Sequence, residues 1–269
     1  MASATSESLA AAQKELESTF VHADLAVADE LFGVLDVLDG SAALRRSFTD
    51  PSRESQARTG LLRNLFGPKL KSTTTSILEA LVSKRWSRER DLSDAVETLA
   101  VSVAAAQAER TGLQGLEQLE SALLGFRRTV AGSHEVQRAL TEPQAGAEAK
   151  QKLAAKLSPQ ASAEARLLLD RAVTAPRGLR PEALVGRFAE QVAARQQRWI
   201  AQVTVAKDLD QAYRERLSTS LDRHFGRELK LDVVVDPDVV GGIRVQVGDE
   251  VVDNTAASKL NDLSRKLAS

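Results

Sequence analysis

The sequence predicts a mainly α-helical protein. We expect two antiparallel helical bundles related by internal duplication, followed by a small C-terminal α+β domain with a β-hairpin. First, a long part of the chain aligns with itself at a constant offset of 92 positions. Second, the hydrophobic period changes from helical to alternating near Ile200. Third, aromatic residues make up only 4% of the chain, and the helix formers Ala and Leu supply much of the apolar content. The predicted domains are residues 1–110, 111–197 and 198–269.

The self-alignment places residues 24–104 on residues 116–196 without a gap. Its clearest part puts LDGSAALRRSFTDP, beginning at Leu38, on VAGSHEVQRALTEP, beginning at Val130. Both segments end in a Thr-acid-Pro sequence at the same register, and proline disfavours helix at the residue before it. The alternative is that any two helical stretches rich in Ala and Leu align loosely. The shared turn favours a duplicated helical module.

Within each module, apolar residues recur at the spacing of helices that pack against a core. Leu31, Leu35 and Leu38 form one such stripe. Further apolar clusters are Leu61, Leu62, Leu65 and Phe66; Ile77, Leu78, Leu81 and Val82; and Leu184, Val185, Phe188 and Val192. Because the connections between them are short, each module is expected to be a compact antiparallel bundle.

The last part of the chain combines strand and helix patterns. Apolar residues alternate with period two, as in strands, at 200–206, 229–235 and 243–247. The segment Leu209–Phe225 has helical spacing, and Gly226 is placed to end that helix in a left-handed conformation. Gly248-Asp249 predicts the tight turn of a hairpin near 243–253, and Ser258–Leu267 predicts a closing helix.

Composition narrows the possible functions. Lys and Arg number 36 and Asp and Glu number 37, so the net charge provides no long-range attraction to nucleic acid or anionic lipid. The absence of cysteine excludes disulfides, thiolate metal sites and cysteine nucleophiles. No stretch approaches the roughly 20 apolar residues of a membrane span, and residues 1–15 lack the pattern of a signal peptide. Any membrane location is therefore expected to be indirect, through partners.

Residues that carry chemistry are sparse, and we expect no catalytic, cofactor-binding or metal-ligating site. The histidines His22, His134 and His224 are isolated and share no metal-ligand spacing. Gly241-Gly242 belongs to neither a P-loop nor a dinucleotide fingerprint. The carboxylates of Asp236-Pro237-Asp238 form a pair in sequence, but this composition is typical of a turn between strands.

The most basic stretch is residues 84–90, with Trp86 inside it. One interpretation is that this basic segment, with its aromatic residue, contacts the phosphates of a nucleic acid. The other interpretation is a helix end followed by a solvated connector, because cations are favourable at helix C-termini. The near-zero net charge favours the second interpretation.

The region from Leu229 onward reads LKLDVVVDPDVVGGIRVQVGDEVVDNTAASKLNDL. A strand leads into Asp-Pro, then apolar residues, Gly-Gly, an alternating strand, a Gly-Asp turn, an apolar pair and Asp. This order closely resembles the C-terminal signature of the ATP synthase delta subunit family, which includes the mitochondrial oligomycin-sensitivity-conferring protein. The signature residues are Asp236, Pro237, Gly241, Gly242, Gly248, Asp249 and Asp253. One departure is Asn254-Thr255, where the family usually has Gly-Ser.

The resemblance is close over 198–269 and looser over the helical part. Ordinary family members have one helical module, and two modules resemble a longer form found in some high-GC bacteria. The extra copy leaves open which module has the family's head-binding role.

The resemblance implies a non-catalytic connector in the peripheral stalk of an F-type ATP synthase. Such a protein links the N-terminal helices of the alpha subunits in the catalytic head to the stalk b subunits, and resists rotor torque during proton-driven ATP synthesis. It lies at the cytoplasmic face of the cell membrane as part of the complex, without a cofactor or a nucleic-acid partner. The alternative is a free-standing helical-repeat adaptor or a nucleic-acid-binding protein, whose affinity for nucleic acid would fall steeply with salt.

Overall fold

A computed structural model describes residues 3–207, 209–226, 229–236, 242–247 and 250–253. By their contacts the residues form two compact units, Met1–Val192, here the helical unit, and Ala193–Ser269, here the α+β unit. The predicted mainly α-helical class, with a small C-terminal sheet and hairpin, is confirmed. The division into three domains stays a prediction. No helix in the described part of the chain has both the length and the apolarity of a membrane span.

Eleven α-helices precede the sheet in the described part of the chain. They are α1 (Ser3–His22), α2 (Leu25–Gly40), α3 (Ala42–Thr49), α4 (Ser55–Phe66), α5 (Ser72–Ser83), α6 (Glu89–Ala108), α7 (Leu113–Ala131), α8 (His134–Thr141), α9 (Ala147–Leu157), α10 (Ala163–Thr174) and α11 (Pro181–Gln196). The α+β unit follows with β1 (Ile200–Val205), α12 (Gln211–Phe225), β2 (Lys230–Val235), β3 (Ile243–Val247) and β4 (Glu250–Asp253). We call α1–α6 the first half of the helical unit, and α7–α10 together with α11 as far as Val192 the second half.

Local contacts recur in the two halves at the offset seen in the sequence. Both α3 and α8 begin after a serine cap: Ser41 Oγ accepts a hydrogen bond from the amide of Leu44, and Ser133 Oγ accepts one from the amide of Val136. Arg45 donates to carbonyls at the end of α2, and Gln137, at the equivalent position, donates to carbonyls at the end of α7. These contacts support the internal duplication, which remains a prediction.

We expect Ser41→Ala and Ser133→Ala to lower the free energy of unfolding by similar amounts, about 1 kcal/mol each, because each removes the cap of an equivalent helix. Urea unfolding followed by far-ultraviolet circular dichroism measures the change. Ser72→Ala is the control, because Ser72 begins α5 but does not cap it. A large effect at only one of the two caps would contradict the proposed equivalence.

Helix α6 is the centre of the helical unit. It packs against α1, α2, α3 and α5 from the first half and against α7 and α10 from the second half. Most of its side chains are buried, including Leu99, Ala100 and Val101, which have no exposed surface. Because α6 is buried on nearly all sides, its side chains belong to the hydrophobic core of both halves.

A partly buried ionic cluster also joins the halves, in which the side chains of Asp39 and Asp94 are 33% and 42% exposed. Arg177, in the loop after α10, has a side chain that is only 6% exposed. Its Nε lies 2.5 Å from Oδ2 of Asp39 on α2, and its other nitrogens lie 2.9 Å from Asp94 Oδ1 and 3.2 Å from Glu97 Oε2 on α6. Burial alone would lower the pKa of Arg177, but the hydrogen bond to Asp39 and the charges of Glu97, Asp39 and Asp94 raise it above the ordinary value. The guanidinium therefore stays charged between three carboxylates.

A second arginine of the second half reaches α2 beside this cluster. The Nη1 atom of Arg171 lies 2.6 Å from Oδ1 of Asp36, and the guanidinium lies over the ring of Phe32, 5.2 Å from its centre. Both arginines come from the second half, and both acids on α2 come from the first. The contacts of these two arginines with α2 are thus polar and specific in their charges.

The α+β unit has its own core. Its strands lie in the order β2-β1-β3-β4, with β1 and β2 parallel and the other pairs antiparallel. The parallel pair requires a crossover, which α12 provides. Gly226 ends α12 with a φ of 67°, the left-handed conformation expected there. The core consists of Ala201, Val203, Val205, Leu221, Leu229, Val245 and Val247.

Candidate functional site

The clearest candidate for a binding surface is a groove on the first half of the helical unit, here the first groove. One wall is α2, which contributes Asp29, Glu30, Gly33, Val34 and Val37. The remaining lining residues are Leu44, Leu65, Phe66, Lys69 and Leu70. The groove has a volume of about 490 Å³, which is within the usual range for binding pockets.

Exposed apolar side chains distinguish this groove from an ordinary surface. Val37 on α2 is 45% exposed and Leu65 on α4 is 43% exposed, although each helix also carries apolar residues that are fully buried, such as Leu35 and Leu62. On α4, Leu62 faces the core, whereas Leu65 does not. The predicted apolar cluster on α4 therefore divides between the core and the groove. Adjacent exposed apolar residues next to a concave surface are typical of a site that another molecule covers.

The second half has a groove at the equivalent position, here the second groove. Its lining residues are Gln118, Ser121, Ala122, Gly125, Phe126, Thr129, Leu157, Ser158, Pro159, Gln160, Ala161 and Ser162. At the repeat offset, Thr129 takes the place of Val37, and Ser158 takes the place of Phe66. The second groove is larger, about 600 Å³, but its wall is rich in hydroxyl and amide groups and has no charged residue. The two halves therefore present chemically different grooves on a similar framework.

A glycine lies in the helical wall of each groove, Gly33 in α2 and Gly125 in α7. A Cβ atom added at either position would meet no other atom within 4 Å. Neither glycine has a positive φ, so neither is needed for a left-handed backbone. Glycine inside a helix costs about 1 kcal/mol relative to alanine. The absence of a side chain therefore keeps space open in both grooves.

Three charged residues line the first groove: Asp29, Glu30 and Lys69. Within the described part of the chain, Asp29 on α2 and Lys69 beyond α4 have no ion-pair or hydrogen-bond partner through their side chains. Glu30 differs, because its carboxylate accepts hydrogen bonds from the amide of Lys71 and the hydroxyl of Thr74. The groove thus offers one acid and one base to a partner.

The basic stretch at 84–90 joins α5 to α6. Lys84 pairs with Glu15, Arg88 pairs with Asp91, and Arg90 donates to the carbonyl oxygen of Arg177. Trp86 is buried and its indole nitrogen donates to the carbonyl of Leu81. The stretch is thus a helix end and connector whose charges are largely engaged within the protein.

Of the sequence signature, the structure describes three residues. Asp236 follows β2, and its amide donates to the carbonyl of Val205, which continues the pairing of β1 with β2. Gly242 has a φ of 86°, a conformation that favours glycine, and Asp253 ends β4. The other signature residues, Pro237, Gly241, Gly248 and Asp249, lie outside the described residues, as does the predicted helix at 258–267. A structural role of the signature stays a prediction.

The two edge strands of the sheet in the α+β unit, β2 and β4, expose apolar side chains. Val234 and Val235 on β2 and Val251 and Val252 on β4 are between 39% and 47% exposed. On α12, Leu221 enters the core, whereas Tyr213 near the start of the helix is 41% exposed. The edges of the sheet are accordingly a second apolar surface, on the other unit.

The three histidines belong to three different helices. His22 ends α1, His134 begins α8, and His224 lies in α12 with its ring edge against Phe225. Among the described residues, no three His, Cys, Asp or Glu side chains converge as metal ligands would. Sequence patterns did not indicate Arg171 and Arg177 as contacts between the halves, since their acidic partners are at least 80 positions away in the chain.

Comparison with known proteins gives close relatives over the whole length. The chain is 51% identical over 270 residues to the ATP synthase subunit delta of Renibacterium salmoninarum, and 48% identical over 274 residues to that of Pseudarthrobacter chlorophenolicus, with both chains covered completely. It is 38% identical over 271 residues to the ATP synthase subunit delta of Streptomyces avermitilis, covering 99% of this chain and 98% of the relative.

A family model for the ATP synthase delta (OSCP) subunit matches residues 103–267. The match begins inside α6 and covers the second half of the helical unit together with the C-terminal region. The full-length relatives include the first half as well. The sequence resemblance is therefore confirmed, and the chain belongs to the ATP synthase delta (OSCP) subunit family, a non-catalytic component of ATP synthase.

Proposed function

We propose that this protein is a connector in the peripheral stalk of an F-type ATP synthase. It links the N-terminal helices of the alpha subunits in the catalytic head to the stalk b subunits, and it resists rotor torque during proton-driven ATP synthesis. It lies at the cytoplasmic face of the cell membrane and reaches the membrane only through the complex. The observation that carries the proposal is the full-length similarity to proteins named ATP synthase subunit delta.

The presence of two compact units supports the proposal that each unit binds a different partner. The helical unit binds the head, and the α+β unit binds the stalk. Each unit has its own core, and each carries an apolar surface of its own: the first groove on the helical unit and the sheet edges on the α+β unit. Two separate surfaces on separately packed units suit a protein that holds two partners at once.

A nucleic-acid-binding function has less support. The basic stretch at 84–90 is engaged in intramolecular contacts, and the net charge is −1. A free-standing adaptor would share the grooves but not the full-length similarity to ATP synthase subunits.

Truncation after Arg195 tests the division. We expect the shortened protein to lose binding to b-subunit peptides and to keep its affinity for an alpha N-terminal peptide, because the helical unit ends at Val192. Isothermal titration calorimetry measures both affinities, and circular dichroism shows whether the shortened protein is folded. A folded truncation that loses only the alpha peptide would reverse the assignment. The full-length chain is the control for both peptides.

A further inference from the structure

We propose that a cavity in the first half of the helical unit, here the arginine cavity, binds an anion of the phosphate class, either free phosphate or the phosphates of a nucleotide. Three arginines line it: Arg46 in the last turn of α3, Arg53 in the loop before α4, and Arg88 directly before α6. Its volume is about 450 Å³, within the usual range for small-molecule pockets. Binding at this cavity is independent of the two partner contacts proposed above.

Two of these arginines make only long ion pairs with the carboxylates of the cavity. The Nε atom of Arg46 lies 3.8 Å from Oε1 of Glu89, and the Nε atom of Arg53 lies 3.7 Å from Oδ2 of Asp50. Charge-assisted hydrogen bonds between such groups are usually about 2.7–2.9 Å long. The side chains of Arg46 and Arg53 are 68% and 49% exposed, so a ligand can reach both guanidinium groups. The planar fork of donors on a guanidinium matches the oxygens of a phosphate.

A buried arginine adds positive charge close to the cavity. Arg58 on α4 is 4% exposed, and within the described part of the chain its Nε and Nη1 atoms have no hydrogen-bond partner. The pKa of Asp50 lies below its ordinary value because Ser52 donates hydrogen bonds to its carboxylate. The charges of Arg53 and Arg58 lower this pKa further. An anion in the cavity would reduce the electrostatic cost of keeping Arg58 buried.

The second half of the helical unit provides a matched comparison. At the repeat offset, Arg138 takes the place of Arg46, but Ala145 takes the place of Arg53 and Leu179 takes the place of Ser87, which also lines the cavity. The second half therefore keeps one exposed arginine without the other groups that would hold an anion beside it.

The carboxylate of Glu89 gives the proposal a prediction of opposite sign. It competes with a ligand for the guanidinium of Arg46, and it also repels an anion in the cavity. Removing its charge should therefore strengthen binding. If the arginines only supported the local fold, neutralising Glu89 would not raise the affinity for an anion.

Trp86 lines the cavity and can report on binding. The chain has two tryptophans, so Trp199→Phe leaves Trp86 as the only one. The full-length Trp199→Phe chain is titrated with sodium phosphate, and separately with ADP, at constant ionic strength while tryptophan emission is recorded. Isothermal titration calorimetry on the wild-type chain measures the same affinities without the substitution. Circular dichroism shows that each variant is folded.

We expect saturable binding of phosphate, of ADP or of both. Arg46→Met and Arg53→Met should each weaken it about fivefold or more, because each removes charge-assisted hydrogen bonds to the anion. Glu89→Gln should strengthen it about twofold or more. Arg138→Met is the matched control, since it removes the same charge from an exposed position outside the cavity, and it should leave the affinity unchanged.

The two ligands distinguish the sources of the phosphate group. Tighter binding of ADP than of phosphate would identify a nucleotide as the ligand, and equal or tighter binding of phosphate would identify the free anion. Equal losses in Arg46→Met and Arg138→Met would overturn the site, because they would indicate general attraction to surface charge. The absence of saturable binding of either ligand by calorimetry would also overturn it, and would leave the connector function unaffected.

Discussion

Arg177→Met is expected to lower the free energy of unfolding of the helical unit by about 3–5 kcal/mol, the usual cost of removing one partner from a buried ion pair. The variant would leave Asp39, Asp94 and Glu97 without their shared cation. Glu97 is the critical partner, because its side chain is 2% exposed and its next cation, Arg187, is 3.9 Å away. Urea unfolding followed by circular dichroism measures the change.

Arg46→Met is the matched control for Arg177. Arg46 pairs with Glu89 at 3.8 Å, but the two side chains are 68% and 43% exposed, so water replaces the lost contact and the change should be at most about 1 kcal/mol. Adding Glu97→Met to Arg177→Met should recover part of the loss, because the double variant removes a buried unpaired charge. A loss below about 1 kcal/mol for Arg177→Met alone would show that the cluster contributes little to stability.

Leu99→Ala is expected to have the second large effect, a loss of about 2–5 kcal/mol, because it creates a cavity at a side chain with no exposed surface. Leu99 lies in α6, which packs against both halves of the helical unit. The variant should therefore weaken amide protection in both α2 and α10, as measured by hydrogen exchange with mass spectrometry.

Leu65→Ala makes the same chemical change at a leucine that is 43% exposed, and it should alter stability by no more than about 0.5 kcal/mol. If Leu99→Ala reduced protection in only one half, the two halves would open independently. That result would contradict the shared role of α6.

The sequence predicted those elements whose signals are local. Alternating valines and isoleucines predicted β1, β2 and β3, and Gly226 predicted the end of α12. The Thr-acid-Pro sequences predicted the ends of α3 and α8 at Thr49 and Thr141. In each case the physical cause lies within a few residues, either a side-chain period or a restricted backbone angle.

Other features depend on contacts that have no local signal. The parallel pairing of β1 with β2 joins residues about 30 positions apart across α12. The pairing of Arg177 with Asp39 joins residues 138 positions apart, and an arginine next to a glycine is typical of any loop. The first groove could not be predicted from the sequence for a different reason. Apolar spacing indicates that Leu65 lies on the same side of α4 as Leu61 and Leu62. It does not indicate how much of that side the core covers.

The continuity of α6 has a mechanical consequence. Two domains joined by a loop can swing about that loop, which acts as a hinge, whereas here a helix of 20 residues, about 30 Å long, belongs to the core of both halves. Bending one half against the other would require breaking that helix or separating the charges around Arg177. The shared helix thus makes the helical unit resistant to bending between its two halves.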